Sequence, residues 1–422
     1  MNLHELKQEN FMTPHKAAPS PKSISADSHP TKGSSLPFLP YVQPSISPED
    51  IAAVSLALST PQITRGTHVA AFEQAVADYC HVPYAVAFSS GTAALQAAYF
   101  AAETNSFDKL LTSPNTFVAT AGAGMLFGAT PVFMDIDRQT GNMDLDQLEA
   151  TLAQPASQGR TIITPVHFAG IAVDMQRLES FIACPDTIVI EDAAHALGSC
   201  YADGQKVGCC AWSQMTMFSF HPNKHITTGE GGMVTTQDPA LWHRLQLFRD
   251  NGIERHPEYM QQAPASGYYE VHALTGNYNF TEMQAALGLS QLKRLDAFVE
   301  KKRLLVKRYR KHLSGLPHIN LWAQEHDPFT AYHLCVVQID FAAIKSTRAK
   351  VMAALQQQGI GSQVHYIPLY RHPFFQKKMG DLTPYFPQTE SYYAQALSLP
   401  LYYDLTEQDV DRICAALKKI MG

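Results

Sequence analysis

Ile188-Val-Ile-Glu-Asp-Ala-Ala-His195 is the stretch whose reading decides the fold. An apolar strand ends there in a carboxylate, so Asp192 emerges at the carboxyl edge of a sheet. Working outward, strand-like and helix-like segments alternate. Strands are predicted over 84–88, 130–135, 161–166 and 187–190, and helices over 93–102, 117–127, 145–153 and 175–182. Such alternation implies βαβ units and a largely parallel sheet, the α/β class, with ligands beyond the carboxyl ends of its strands. Before the first strand, Ser47 stands three residues ahead of Asp50 and in front of apolar positions, as in a helix capping box. After the sheet, 281–309 reads as one long helical stretch leading into a C-terminal α+β part. That part has strands over 332–339 and 362–366 and helices over 345–358 and 407–421. The domains expected are an extension over 1–36, a large domain over 37–295 and a small one over 296–422.

Composition removes several functions. Hydrophobic residues are 45% of the chain, charged residues 17%, and the net charge is −6. No basic excess favours nucleic acid, and no apolar run is long enough to cross a bilayer. Residues 1–36 are polar and rich in Ser, Pro and Lys, lack the apolar core of a signal peptide, and read as a disordered extension. Seven cysteines, odd in number and without a CxxC spacing, fit a reduced, cytoplasmic protein with no structural metal.

The chemistry concentrates between Ile188 and Gly232. Lys224 lies 32 positions past Asp192, inside Phe218-Ser-Phe-His-Pro-Asn-Lys-His-Ile-Thr-Thr-Gly-Glu-Gly-Gly232. Pyridoxal phosphate asks four things of a protein, and each has a candidate here. It needs a lysine amine with a lowered pKa, which Lys224 supplies. It needs a carboxylate against its ring nitrogen, which Asp192 supplies. Its phosphate needs donors. Ser89-Ser-Gly-Thr92 stands between a strand and a helix, so Gly91 and Thr92 present N–H groups at a helix N-terminus, and Ser219 adds a hydroxyl. Its ring needs a flat neighbour, and Phe117 opens a helix after a strand. His195, three residues past Asp192, can reach the ring hydroxyl. Each of these alone reads equally as a cap or a core residue; their order along one sheet makes the site.

Ser90-Gly-Thr-Ala-Ala-Leu95, Glu191-Asp-Ala-Ala-His195 and Ser219-Phe-His-Pro-Asn-Lys224 with Gly229-Glu-Gly-Gly232 together resemble the DegT/DnrJ/EryC1/StrS family of sugar aminotransferases, over nearly everything from Leu39 to Gly422. That resemblance implies the fold of type I pyridoxal-phosphate transferases, like aspartate aminotransferase. It implies a homodimer with shared active sites, in which Asn277 of Gly276-Asn-Tyr-Asn-Phe-Thr-Glu282 reaches the phosphate of the partner's cofactor. The family usually carries Arg two residues after that Asn, where this chain has Asn279.

Within the family, Pro40-Tyr-Val-Gln-Pro-Ser-Ile-Ser47, Phe117-Val-Ala-Thr120, His195-Ala-Leu-Gly-Ser199, Lys224-His-Ile-Thr-Thr228 and Gln363-Val-His-Tyr-Ile-Pro368 are most similar to the C4 aminotransferases of pseudaminic acid synthesis. The implied reaction moves an amine from L-glutamate to C4 of a UDP-linked 4-keto-6-deoxy-N-acetylhexosamine. Catalysis is expected from Lys224, Asp192 and His195, and substrate contacts from Thr64, Arg65, His365 and Tyr366, in loops that the family folds over the cofactor. Two other readings stay open: an aminotransferase for a perosamine, bacillosamine or 3-keto sugar precursor, and a non-catalytic regulator that binds pyridoxal phosphate.

Overall fold

The computed structural model describes residues 37–421, apart from 155–158, 183, 264–265 and 322–325. The extension expected over 1–36 lies outside the described residues. A seven-stranded sheet organises the first part of the chain. Its strands are β1 (Tyr84–Phe88), β2 (Lys109–Thr112), β3 (Thr130–Phe133), β4 (Thr161–Thr164), β5 (Ile188–Asp192), β6 (Met215–Ser219) and β7 (Gly232–Thr236), in the order β1-β7-β6-β5-β4-β2-β3. Only β7 runs against its neighbours; β6, β5, β4, β2 and β3 pair in parallel.

Burial on both faces explains why successive positions along β1, β4 and β5 are apolar. Ala85, Ala87, Ile163 and Val189 join one core, while Val86, Phe88, Ile162 and Ile190 join the other. Both faces are covered, so apolar residues serve both parities, and the polar ones that occur need partners. On the second face lies the helix Gly91–Ala101, whose Ala93, Ala94, Ala97 and Ala98 are buried. Ser90 starts it by accepting from the Ala93 N–H at 3.1 Å.

A ribbon of β8 (Ile253–Glu254) and β9 (Glu270–Val271) follows. Then an antiparallel sheet forms from β10 (Ile319–Leu321), β11 (Cys335–Ile339) and β12 (Ala396–Leu399). It has its own core, built with Val351, Leu355, Ile413 and Leu417 from the helices Arg348–Gln357 and Glu407–Met421. Leu39 belongs to that core as well.

Three expectations need correction. The single helical stretch over 281–309 is two helices, Glu282–Leu292 and Leu295–Leu313. The cause sits at the junction. Gln291 and Arg294 both turn back to the buried Asp50 carboxylate, at 2.6 and 2.5 Å, and Asp50 is fixed by its capping box with Ser47. The segment 362–366 is no strand. Gln363 alone exchanges backbone hydrogen bonds, with Ser398, after which the His365 ring bonds the Ser398 hydroxyl and the Tyr366 N–H turns to Asn115. The strand over 332–339 begins only at Cys335.

Gly232 ties the sheet to the turn before Gly91–Ala101. A Cβ there would lie 2.5 Å from the Ser90 carbonyl oxygen and 2.7 Å from Gly91 Cα. Gly232→Ala is expected to cost about 1–3 kcal/mol through overpacking. A urea midpoint equal to wild type would show that the loop has room to move.

Candidate active site

A cavity of about 310 Å³ opens where the carboxyl ends of β5 and β6 face the N-terminus of Gly91–Ala101. Gly91, Thr92, Phe117, Asp192, His195, Ser219, Lys224, His365 and Tyr366 all line it. Residues spread over some 275 positions therefore meet, as the strand-end argument requires (366 less 91).

The two carboxylates that close β5 point to opposite faces. Asp192 turns to the cavity, where it accepts from the Thr120 hydroxyl at 2.7 Å and the Ala194 N–H at 3.1 Å. Burial pushes its carboxyl up, and these donors and Lys224 act against that. Glu191 turns the other way and is buried. It accepts from His167 Nε2 at 2.7 Å, Tyr201 at 2.6 Å, Ser213 at 2.5 Å and Thr216 at 2.9 Å. Burial alone would raise Glu191; this donor set, led by His167, holds it below the ordinary value. The Val173 N–H donates to His167 Nδ1, so the ring proton sits on Nε2, facing Glu191.

Lys224 follows β6 in the reversal before β7 and is half-buried. Burial lowers its amine to about 8, with Asp192 pulling the other way. His195 accepts from the Ala169 N–H at Nδ1, 3.4 Å, and its Nε2 lies 3.0 Å from the Tyr366 hydroxyl. Burial, then the charge of Lys224, keeps the His195 imidazole neutral, well below its ordinary pKa. His365 is held down to about 3, chiefly by burial.

This arrangement fits pyridoxal phosphate. At the helix start the N–H groups of Gly91 and Thr92 have no intrahelical carbonyl to reach. Ser219 Oγ stands beside them: a Cβ on Gly91 would come within 3.0 Å of it. An anion can be held there, with an amine and a carboxylate further along the same cavity. Phe117 is the N-cap of Val118–Met125 and is 58% exposed, a flat apolar face on the cavity wall.

Three expected residues lie outside this cavity. Thr64 bridges Thr281. Arg65 Nε donates to Asn279 Oδ1 at 2.9 Å and its guanidinium pairs with Asp250 at 3.3 Å. Asn277 Oδ1 accepts from the Asn279 backbone N–H and side-chain amide. A guanidinium thus does stand beside position 279, contributed by Arg65. Sequence reasoning missed Thr120, although it sits one turn after Phe117 in the same quoted segment, and it missed the donors to Glu191.

The sequence pattern of the DegT/DnrJ/EryC1/StrS aminotransferase family matches residues 44–418. The spore coat polysaccharide biosynthesis protein SpsC of Bacillus subtilis is 36% identical over 385 residues, 91% of this chain and 97% of its own. Among solved structures, Helicobacter pylori PseC, an aminotransferase involved in the biosynthesis of pseudoaminic acid, superposes with a TM-score of 0.82 at 28% identity, covering 91% of this chain and 99% of that one. The PLP-form of the sugar aminotransferase Spr1654 from Streptococcus pneumoniae, described as putative, gives 0.81 at 28% identity, covering 91% and 98%.

The lowered amine has a consequence for stability. Between about 8 and the ordinary 10.5, the unfolded chain holds the Lys224 proton and the folded chain does not. Stability of the cofactor-free protein therefore rises with pH across that window, by up to about 1.4 kcal/mol per unit from this group. Lys224→Met is expected to flatten that rise and to be the more stable form below pH 8. Parallel urea-derived stability curves for the two proteins would contradict it.

Proposed function

Because this chain belongs to the DegT/DnrJ/EryC1/StrS aminotransferase family, whose members depend on pyridoxal phosphate, we propose that it carries an amine from L-glutamate to C4 of a UDP-linked 4-keto-6-deoxy-N-acetylhexosamine. The observation that carries the aminotransferase reading is the meeting of Lys224 and Asp192 in one cavity with the free N–H groups of a helix start. The C4 and UDP details lean on the likeness to PseC. We further propose a homodimer in the cytoplasm, with Asn277 acting on the partner's cofactor. The exposure of the apolar Phe117 and Val118, 58% and 46%, supports burial of this rim in an assembly.

When bound, pyridoxal phosphate supplies an electron sink for removing a proton from the carbon that bears the amine. Lys224 would hold the cofactor covalently through Nζ. With its amine free, Lys224 Nζ would take the proton from the donor α-carbon and later give it up, acting as base and then acid. An amine lowered to about 8 can do both near neutral pH. Asp192, oriented by Thr120 and the Ala194 N–H, would offer its remaining lone pairs to the ring nitrogen and keep a proton there. That cation opposite the carboxylate favours ionisation of Asp192 against the effect of burial. Gly91, Thr92 and Ser219 would bind the phosphate and Phe117 would lie against the ring, while the neutral His195 would reach the ring hydroxyl in place of its bond to Tyr366. His365 and Tyr366 close the substrate side. Overall the donor's amine and the sugar's carbonyl oxygen change places, giving 2-oxoglutarate and an amino sugar. The two halves share one site, so ping-pong kinetics are expected.

A second reading, an amine placed on a different nucleotide-linked keto-sugar, is favoured by the higher identity to SpsC, a polysaccharide biosynthesis protein. Incubation with glutamate and a panel of 4-keto and 3-keto nucleotide sugars, with products identified by mass spectrometry and NMR, separates the two. A C4 amine on the UDP-linked N-acetylated sugar is expected; turnover of another sugar alone replaces the first reading by the second. Lys224→Ala should abolish both half-reactions while the circular dichroism spectrum stays native. Retained turnover would remove Lys224 from its role.

A further inference from the structure

Lys224 also lines a second, far smaller cavity of about 20 Å³, with Gln291, Lys302 and His225 among its other walls. That is room for about one water molecule. Lys302 comes from the helix Leu295–Leu313 and is only 4% exposed. Among the described residues no carboxylate neutralises it; the charged group that acts on it is Lys224. The other titratable groups around it are not acids placed to help. His225 leaves Nε2 without a hydrogen-bond partner and faces the His333 ring at 5.7 Å. Tyr402 and Tyr403 reach the cavity from the segment after β12. Asp50, reached through Gln291, is already paired with Arg294 at 2.5 Å. A buried ammonium with no partner is costly, and packing alone would be met better by an apolar side chain.

We propose that Lys302 is a positioning residue for the chemistry at Lys224: two amines on the wall of one small cavity act on each other, so that charge on either loosens the proton of the other. Burial brings both amines down to about 8, and the repulsion from Lys224 adds to the fall at Lys302. Coupling between two proton sites is reciprocal, so Lys302 must depress Lys224 equally. Asp192 pulls the proton of Lys224 one way, and by this reciprocity Lys302 pushes it the other. The nitrogen that must take up and release a proton in each half-reaction is thereby kept near balance.

The inference rests on Lys224 being the cofactor lysine, but its test reads proton binding and not turnover, so the two fail separately. The absorbance of the holoenzyme, which reports the proton on the Lys224 nitrogen, is titrated against pH for wild type, Lys302→Met and Lys302→Arg. Removing the amine in Lys302→Met should move the midpoint upward by roughly one to two pH units. Lys302→Arg keeps a fixed cation and should stay at or below wild type. As a second measurement, Lys224 in the cofactor-free full-length chain is acylated with limiting reagent, and its labelling rate against pH is read by mass spectrometry. The same order of the three proteins is expected. Lys302→Gln stands in for the Met variant if circular dichroism shows the latter misfolded. Identical midpoints in wild type and the uncharged variant would overturn the proposal. So would an Arg variant that shifts with the uncharged one. A wild-type midpoint that climbs to the Met value as chloride replaces a larger anion at fixed ionic strength would also overturn it, since the cavity would then hold an anion that cancels Lys302.

Discussion

A carboxylate removed from water must be surrounded by donors, and the end of β5 is built around two that are. Glu191 takes four hydrogen bonds from His167, Tyr201, Ser213 and Thr216. These reach it from the turn after β4, the segment beyond His195, the approach to β6 and β6 itself. Losing one donor would leave a buried charge short of partners, a loss of about 1–3 kcal/mol or more. With Glu191 pinned on one face, the strand's period of two points Asp192 to the other. The cavity, the orientation given by Thr120 and the field acting on Lys224 all follow from that rotation being fixed.

The neighbouring groups show how one pocket keeps its titratable members in different states. His195, His225, His333 and His365 are each driven by burial toward the neutral form. Lys224 and Lys302 are brought to the range where they titrate, and Asp192 is the acid that acts on Lys224. An imidazole that stays neutral can accept and donate without adding positive charge beside Lys224. The hydrogen bond from the Ala169 N–H to His195 Nδ1 leaves Nε2–H for the Tyr366 hydroxyl, which in turn can point its own proton into the cavity.

Much of this was legible in the sequence, for physical reasons. A strand buried on both faces is mainly apolar at successive positions, so β1, β4 and β5 stand out, and polar residues at their ends are conspicuous. Helix starts carry local signals, and the Ser47–Asp50 box is visible as spacing alone. What the sequence hid was non-local. The helix break before Leu295 depends on Asp50, more than 240 positions away from Arg294. The segment 362–366 has strand-like composition, but its rings turn into the cavity and leave it one bridge with Ser398. Lys302 lies in a stretch rich in Lys and Arg, and only its place on the stripe of Phe298, Leu305 and Tyr309 marks it as the amine that points inward.

The helix Leu295–Leu313 belongs to both parts of the molecule. Leu295, Phe298 and Val299 are embedded in the core on one face of the large sheet, while Leu305, Val306, Tyr309 and Leu313 are embedded in the core of the smaller one. Only residues 300–304, less than a turn and a half of unbroken backbone, separate these anchors. Melting either core frays a helix the other needs, so heat should find one cooperative unit and not two. A shared rod of this kind turns what looks like a linker into the element through which the stability of each half becomes the concern of the other.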